Sequence, residues 1–515
     1  MDWRPTLVVQ HVNDTVKFKR LLYLIHRWFG ILMCLIIFLW FASGIVMMYV
    51  EYPQLTERER VQALSPLDLD TIEVDVSSLT ERITPDQVIT SFSVSSHLER
   101  PAFHAQFNNG TSLMLFADTG DDVAQTTRQT AEQAARIFAR NTGLGDNARY
   151  LKTVEMDQWT VYGGFANHRP LHQVALDNPE NTIVYLSNAT GQIVRDTHGW
   201  ERGWNWVGST IHWIYPMQLR RYPSVWADVV IVVSSLGIIA VVSGTVVGFM
   251  RLRTKRRYKN GSVTPYQGIQ KWHHLMGLAF TVFVTTFVVS GLFSMNPLGI
   301  FDDKSSPAPQ ISRYEGGPLH LEGFQDALEA MPLYPGDLND LKELSWHRIN
   351  DAGVLVAHTN AGRTVVNMTN DELAARIKET VPLLLPEHAM VQLEKLERFD
   401  NYYYSTHNRF RPLPAYRARF DDEETTWYYI NASTGEILFR STATKRMERW
   451  LYNGLHSLDF QVLLANRPLW DIVVIILSLA GIALSYTSLV IAWRRLKRTK
   501  FLKATRATAL QSSKS

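Results

Sequence analysis

The chain has 515 residues, 46% hydrophobic and 20% charged, with a formal net charge of +3. That charge is too small to point to nucleic acid. The single cysteine, Cys34, excludes a disulfide framework, a thiolate cluster and covalent c-type haem attachment. Four uncharged apolar runs, Trp28–Val50, Val229–Met250, Leu275–Ile300 and Ile472–Trp493, exclude a soluble or disordered chain. About 20 apolar residues cross a bilayer core.

In chain order, Lys17, Lys19, Arg20 and Arg27 lead into the first run, which is longer than a signal-peptide core. Ala42-Ser43-Gly44 is small enough to cleave, but the run is expected to stay as a helix. Arg251–Lys259 follow the second run and Arg494–Lys500 the fourth. Positive residues mark the cytoplasmic side of short loops, so both termini and the middle linker are expected inside. The expected order is an N-terminus (1–20), a spanning helix (21–50), an external domain (51–200), an interfacial segment (201–225) and a second helix (226–250). A basic linker (251–270), a third helix (271–300), a second external domain (301–444), another interfacial segment (445–469), a fourth helix (470–493) and a basic tail (494–515) complete it.

The external segments read as mixed α and β. Pro85–Phe92, Gln129–Arg140 and Asp371–Thr380 are expected as helices. Pro101–Phe107, Ser112–Ala117, Val354–His358 and Arg363–Asn367 are expected as strands. Thr182–Val194 and Thr426–Leu438 read as hairpins turning at a glycine. Gly143-Leu-Gly145-Asp-Asn-Ala148 fits a dinucleotide pattern but follows a helix, so a helix end and turn are expected. The aromatic clusters Trp159–Tyr162 and Tyr402–Tyr404 read as core packing, with a ligand cleft as the other reading.

The chain repeats itself. His26-Arg-Trp-Phe-Gly30 matches His273-His-Leu-Met-Gly277, and Ser43-Gly44 matches Ser290-Gly291 at the same spacing. Tyr185–Ile193 matches Tyr429–Ile437, and one register then holds through Trp206/Trp450, His212/His456, Trp226/Trp470 and Gly237/Gly481. Two parallel repeats, related by an axis along the membrane normal, are expected. The fold class is therefore membrane α-helical, with four spans and two external α+β domains.

Four histidines recur beside membrane helices: His26 and His273 toward the cytoplasm, His212 and His456 toward the outside. Such residues are functional hypotheses by default. Haem b suits the pattern, because two imidazoles ligate one iron from opposite faces. Pairing across the axis gives His26 with His273 and His212 with His456, hence two haems, with His274 a possible substitute for His273. Gly30, Gly277, Gly44 and Gly291 share helix faces with the histidines, and glycine lets a porphyrin edge approach backbone. The competing readings are interfacial contacts, helix packing, and zinc or copper, whose shells need further ligands.

These residues resemble the PepSY-associated transmembrane family. The marks are the opening His26–Gly30 with Ser43-Gly44, the hairpins Tyr185–Ile193 and Tyr429–Ile437, and His212 and His456 before helices that end in basic residues. The resemblance implies periplasmic PepSY-like domains and, in some members, two b haems and single-electron reduction of ferric siderophores. The expectation is a bacterial inner-membrane, ferric-chelate reductase-type electron-transfer protein. Its partners would be the lipid bilayer, a cytoplasmic reductase or quinol donor, and a periplasmic ferric siderophore or other small acceptor. The alternative is a membrane-anchored regulator, akin to a peptidase inhibitor, without redox activity.

Overall fold

A computed structural model of the chain describes residues 6–331, 340–406 and 409–512, with side chains from Lys17 to Arg498 within those bounds. It forms two compact units. One comprises Met1–Val50, Trp204–Phe301 and Met447–Ser515; the other comprises Glu51–Gly203 and Asp302–Arg446.

The first unit is helical. Among the described residues, three helices are long and apolar enough to cross a membrane: Lys17–Met47, Pro223–Arg251 and Leu469–Arg498. With this composition and length, the chain is a multi-pass membrane protein. The first and last helices run beyond the expected spans, over Thr6–Met47 and Leu469–Ser512. The expected third span is not one straight helix. Gly268–Ala279 and Thr281–Phe293 meet at a bend of 69°. Phe280, at φ −106° and ψ 10°, breaks the helical run. No proline marks this break, so apolar composition alone reads as continuous. The Thr281 hydroxyl at the bend lies 2.5 Å from Thr245 of the neighbouring helix. Met33, Ile37, Phe41, Ala240 and Val284 form the buried core of this unit.

Among the described residues, the second unit is built on three antiparallel sheets. The two external segments are not separate domains, as expected from sequence, but share a sheet. Strands β1 (Ile89–His97), β2 (Arg100–Phe107) and β3 (Ser112–Phe116) belong to the first segment. Strands β8 (Leu341–Ile349), β9 (Ala352–Thr359) and β10 (Gly362–Val365) belong to the second. Pairing of β1 with β8 joins them into one six-stranded sheet. Each three-stranded piece would otherwise leave an open edge. Arg60 fixes the junction by a two-pronged bond to Glu343, at 2.7 and 3.0 Å.

The remaining strands form two four-stranded meanders. One contains β4 (Arg149–Val154), β5 (Leu171–Ala175), β6 (Ile183–Ser187) and β7 (Ile193–Thr197). The other contains β11 (Met390–Leu396), β12 (Ala415–Phe420), β13 (Trp427–Asn431) and β14 (Ile437–Ser441). Helix Arg128–Asn141, opened by a capping box at Thr127, buries Ala131, Ala135 and Phe138 against the first meander. Helix Asn370–Thr380, capped by Thr369 and Glu372, buries Leu373 and Ile377 against the second. The hairpin turns use left-handed glycines, Gly191 at φ +67° and Gly435 at φ +76°.

One expected helix is a strand. Pro85–Phe92 enters β1, because Phe92 and Val94 alternate with serines and face the core of the six-stranded sheet. Trp159 packs in a buried cluster with Phe165 and Tyr185. Tyr403 stacks on Tyr429, with ring centres 5.2 Å apart. Gly143 and Gly145 form a left-handed turn after helix Arg128–Asn141.

Candidate functional site: two histidine pairs

The first unit brings the four repeated histidines together in twos. His26, on the first long helix, faces His273 on Gly268–Ala279; their ring centres are 6.2 Å apart and their planes differ by 25°. His212 ends the short helix Ser209–His212, and His456 lies in the π-helix Trp450–Ser457. Their ring centres are 5.9 Å apart, with planes at 71°.

In each case Nδ1 is the anchored nitrogen. The Nδ1–H of His26 donates to the carbonyl of Ala240 at 3.1 Å. That of His212 donates to the carbonyl of Trp40 and to the Ser43 hydroxyl, both at 3.1 Å. His456 donates to the carbonyl of Phe287 at 3.2 Å and to the Ser290 hydroxyl at 3.1 Å. His273 donates to the hydroxyls of Thr487 at 3.0 Å and Ser488 at 3.3 Å. A carbonyl can only accept, so the proton sits on Nδ1. The hydroxyls around His273 give their own protons to the Leu484 carbonyl, so they too accept from the ring. Nε2 is then an unprotonated donor atom in all four histidines. Among the described residues, no hydrogen bond engages it.

The anchors share one device. Three of the accepting carbonyls stand four residues before a glycine: Trp40 before Gly44, Ala240 before Gly244, and Phe287 before Gly291. A Cβ at Gly244 would lie 2.5 Å from Cε1 of His26. At Gly44 and Gly291 it would lie 3.5 Å from Cε1 of His212 and His456. At Gly244 the missing side chain is what lets the His26 imidazole reach the carbonyl one turn back, whereas at Gly44 and Gly291 a Cβ would make only ordinary contact with the ring. On the last helix, Leu484 and Ser488 occupy the corresponding positions, and hydroxyls replace the bare backbone.

The glycines therefore do something different from the sequence expectation. Gly44 and Gly291 lie beside the other pair's histidines. Gly30 and Gly277 touch no histidine: a Cβ at Gly30 would meet nothing within 4 Å, and one at Gly277 would meet only Leu484. Ser243-Gly244 was missed. The same dipeptide recurs as Ser43-Gly44 and Ser290-Gly291, and its register partner is Thr487-Ser488, so the signal was present.

His274 is held differently from His273. Its Nε2–H donates to the carbonyl of Gly248, and its Nδ1 accepts from the Thr264 hydroxyl, each at 2.8 Å. It is buried with both nitrogens occupied, and it ties the segment after helix Pro223–Arg251 back onto that helix.

A family model described as the PepSY-associated TM region matches residues 23–332, more than half of the chain. The chain belongs to this family. The matched region contains His26, His212 and His273 with three of the four anchors, Trp40–Gly44, Ala240–Gly244 and Phe287–Gly291. No curated protein matches the chain.

Proposed function

We propose that this PepSY-associated membrane protein is a di-haem b electron-transfer protein. His26 and His273 would hold one haem, and His212 and His456 the other. The observation that carries the reading is the paired geometry. Two metal–nitrogen bonds of about 2 Å, plus the span from each nitrogen to its ring centre, place two imidazoles roughly 6 Å apart across one iron. The observed separations are 6.2 and 5.9 Å. Every ring also has its Nδ1–H donated backward, the arrangement that fixes the tautomer and orientation of a metal-bound histidine. A zinc or copper shell asks the protein for more: among the described residues, no three His, Cys, Asp or Glu side chains converge to hold a metal ion. A porphyrin supplies its own four equatorial nitrogens and needs only two from the chain.

Haem bound at these positions would supply one-electron redox chemistry. The chain's own contribution is to hold each imidazole neutral and oriented, and to keep water from the ligands. Ala240, whose carbonyl accepts from His26, belongs to a buried apolar core with Met33, Ile37, Phe41 and Val284. With the bent pair Gly268–Ala279 and Thr281–Phe293 counted as one span, the proposed architecture is four spans in two repeats. The basic clusters support a bacterial inner-membrane orientation with cytoplasmic termini and the sheet-rich unit in the periplasm. A cytoplasmic reductase or quinol would be the donor. A small ferric chelate, such as a ferric siderophore, would be the acceptor, because Fe(II) is held less tightly by hard oxygen ligands. The test mixes dithionite-reduced protein with ferric citrate under anaerobic conditions, with a ferrous-specific chelator present. Reoxidation of the protein with stoichiometric Fe(II) is expected; a reduced protein indifferent to the chelate would refute the acceptor assignment.

A further inference from the structure

The sheet-rich unit contains a cavity of about 590 Å³ that the histidine pairs do not explain. Its size falls within the roughly 300–1,000 Å³ of small-molecule sites. One wall is a face of the six-stranded sheet. Across neighbouring strands, Ser345, Ser93, His104 and Met114 lie in one row. Ser91 and Ser95 extend that polar face along β1, while Phe92 and Val94 point into the opposite core. The other walls include Ile137 and Phe138 of helix Arg128–Asn141 and the strand β7.

His104 marks the ligand chemistry. It is 6% exposed, and burial holds its imidazole down to about 4, so the ring is neutral. The amide nitrogen of Gln192 donates to its Nδ1 at 3.2 Å, which places the ring proton on Nε2. Among the described residues, that buried Nε2–H has no hydrogen-bond partner. An unmet buried donor is costly, so it calls for an acceptor from outside the chain.

The charges on the cavity wall point the same way. Arg60 is paired with Glu57 and Glu343, and Glu99 with Arg140. Among the described residues, no carboxylate forms an ion pair with Arg195. Its Nη1–H donates to the Pro53 carbonyl, the guanidinium lies over the Phe165 ring at 4.7 Å, and its Nε is buried without a partner. The wall thus offers two unmet N–H donors, one of them cationic, beside apolar Ile137, Phe138 and Met114.

We propose that this cavity binds a small organic anion with an apolar body, whose carboxylate-type oxygens accept from His104 Nε2–H and from Arg195. The inference does not depend on the haem assignment. The test titrates 2-naphthoate, and separately the uncharged 2-naphthamide, into the full chain in nanodiscs by calorimetry, with empty nanodiscs subtracted. Saturable one-to-one binding of 2-naphthoate is expected, weakened about tenfold or more in His104→Phe, in Arg195→Gln, and for the amide on the unaltered protein. If His104→Phe does not fold, Arg195→Gln and the amide decide. No saturable binding up to about 10 mM naphthoate, equal affinity of the folded variants, or equal binding of the amide would overturn the proposal.

Discussion

The two histidine pairs solve one problem with different scaffolds. Each ring is held by its Nδ1–H, and each pair is separated by a similar gap, 6.2 against 5.9 Å. Yet His26 and His273 sit within regular helices with planes 25° apart, whereas His212 and His456 sit in a four-residue helix and a π-helix with planes at 71°. The shared part is the anchor, a carbonyl one turn before a glycine or a pair of hydroxyls. The variable part is the ring orientation, set by how each backbone approaches. Distance and tautomer are thus held alike at both sites, while orientation differs; π-helical turns of this kind are frequent at functional sites.

That comparison can be broken most severely at the four histidines, the haem ligands of the proposed function. His26→Ala or His273→Ala is expected to abolish one of two haems and leave the other, and His212→Ala or His456→Ala the reverse, counted as pyridine haemochrome. Loss of both haems, or of neither, would dissolve the pairing.

The glycine anchors predict the next largest contrast. Gly244→Ala places a methyl 2.5 Å from the His26 ring and must displace it, whereas Gly44→Ala places one 3.5 Å from the His212 ring, an ordinary contact. Overpacking costs about 1–3 kcal/mol. The first variant should lose or perturb only the His26–His273 haem, and the second should keep both spectra. Equal behaviour of the two would remove the anchor argument.

His274→Ala is expected to keep two haems. It removes two buried hydrogen bonds and should lower stability by about 1–3 kcal/mol, read as a lower thermal midpoint. Loss of a haem would instead return His274 to the ligand set.

A smaller effect separates the two units by pH. Burial holds His97 and His104 of the sheet-rich unit down to about 4, against an ordinary 6.5. The unfolded chain binds those protons first, so their stabilisation is complete above pH 6.5 and is lost as pH falls toward 4. Asp196 has the opposite sign. Burial raises its carboxyl to about 7 from 3.8, so its contribution is lost as pH rises through that window. The protection factors of the β2 amides, taken against the intrinsic exchange rate at each pH, should therefore fall below pH 6.5, and less so in His104→Phe.

Much of this was legible in sequence because it rests on period and repetition. The apolar runs, the hairpins ending at Gly191 and Gly435, and the helices Arg128–Asn141 and Asn370–Thr380 announce themselves by composition, turn residues and caps. The four histidines were visible because they are two positions, each of which recurs in register. What escaped depends on three-dimensional closure. The bend at Phe280 carries no proline. The pairing of β1 with β8 joins residues some 250 positions apart and has no local signature. Ser243-Gly244 was overlooked because its function lies in an imidazole delivered from another helix. His274 looked interchangeable with its neighbour His273, since adjacent residues on a helix differ in sequence position by one but in direction by about 100°.

The most direct test is the optical spectrum of the purified full chain, oxidised and dithionite-reduced, with a pyridine haemochrome count. The account predicts two b haems per chain with the low-spin spectrum of bis-histidine iron. A colourless protein from cells supplied with ample haem would contradict it.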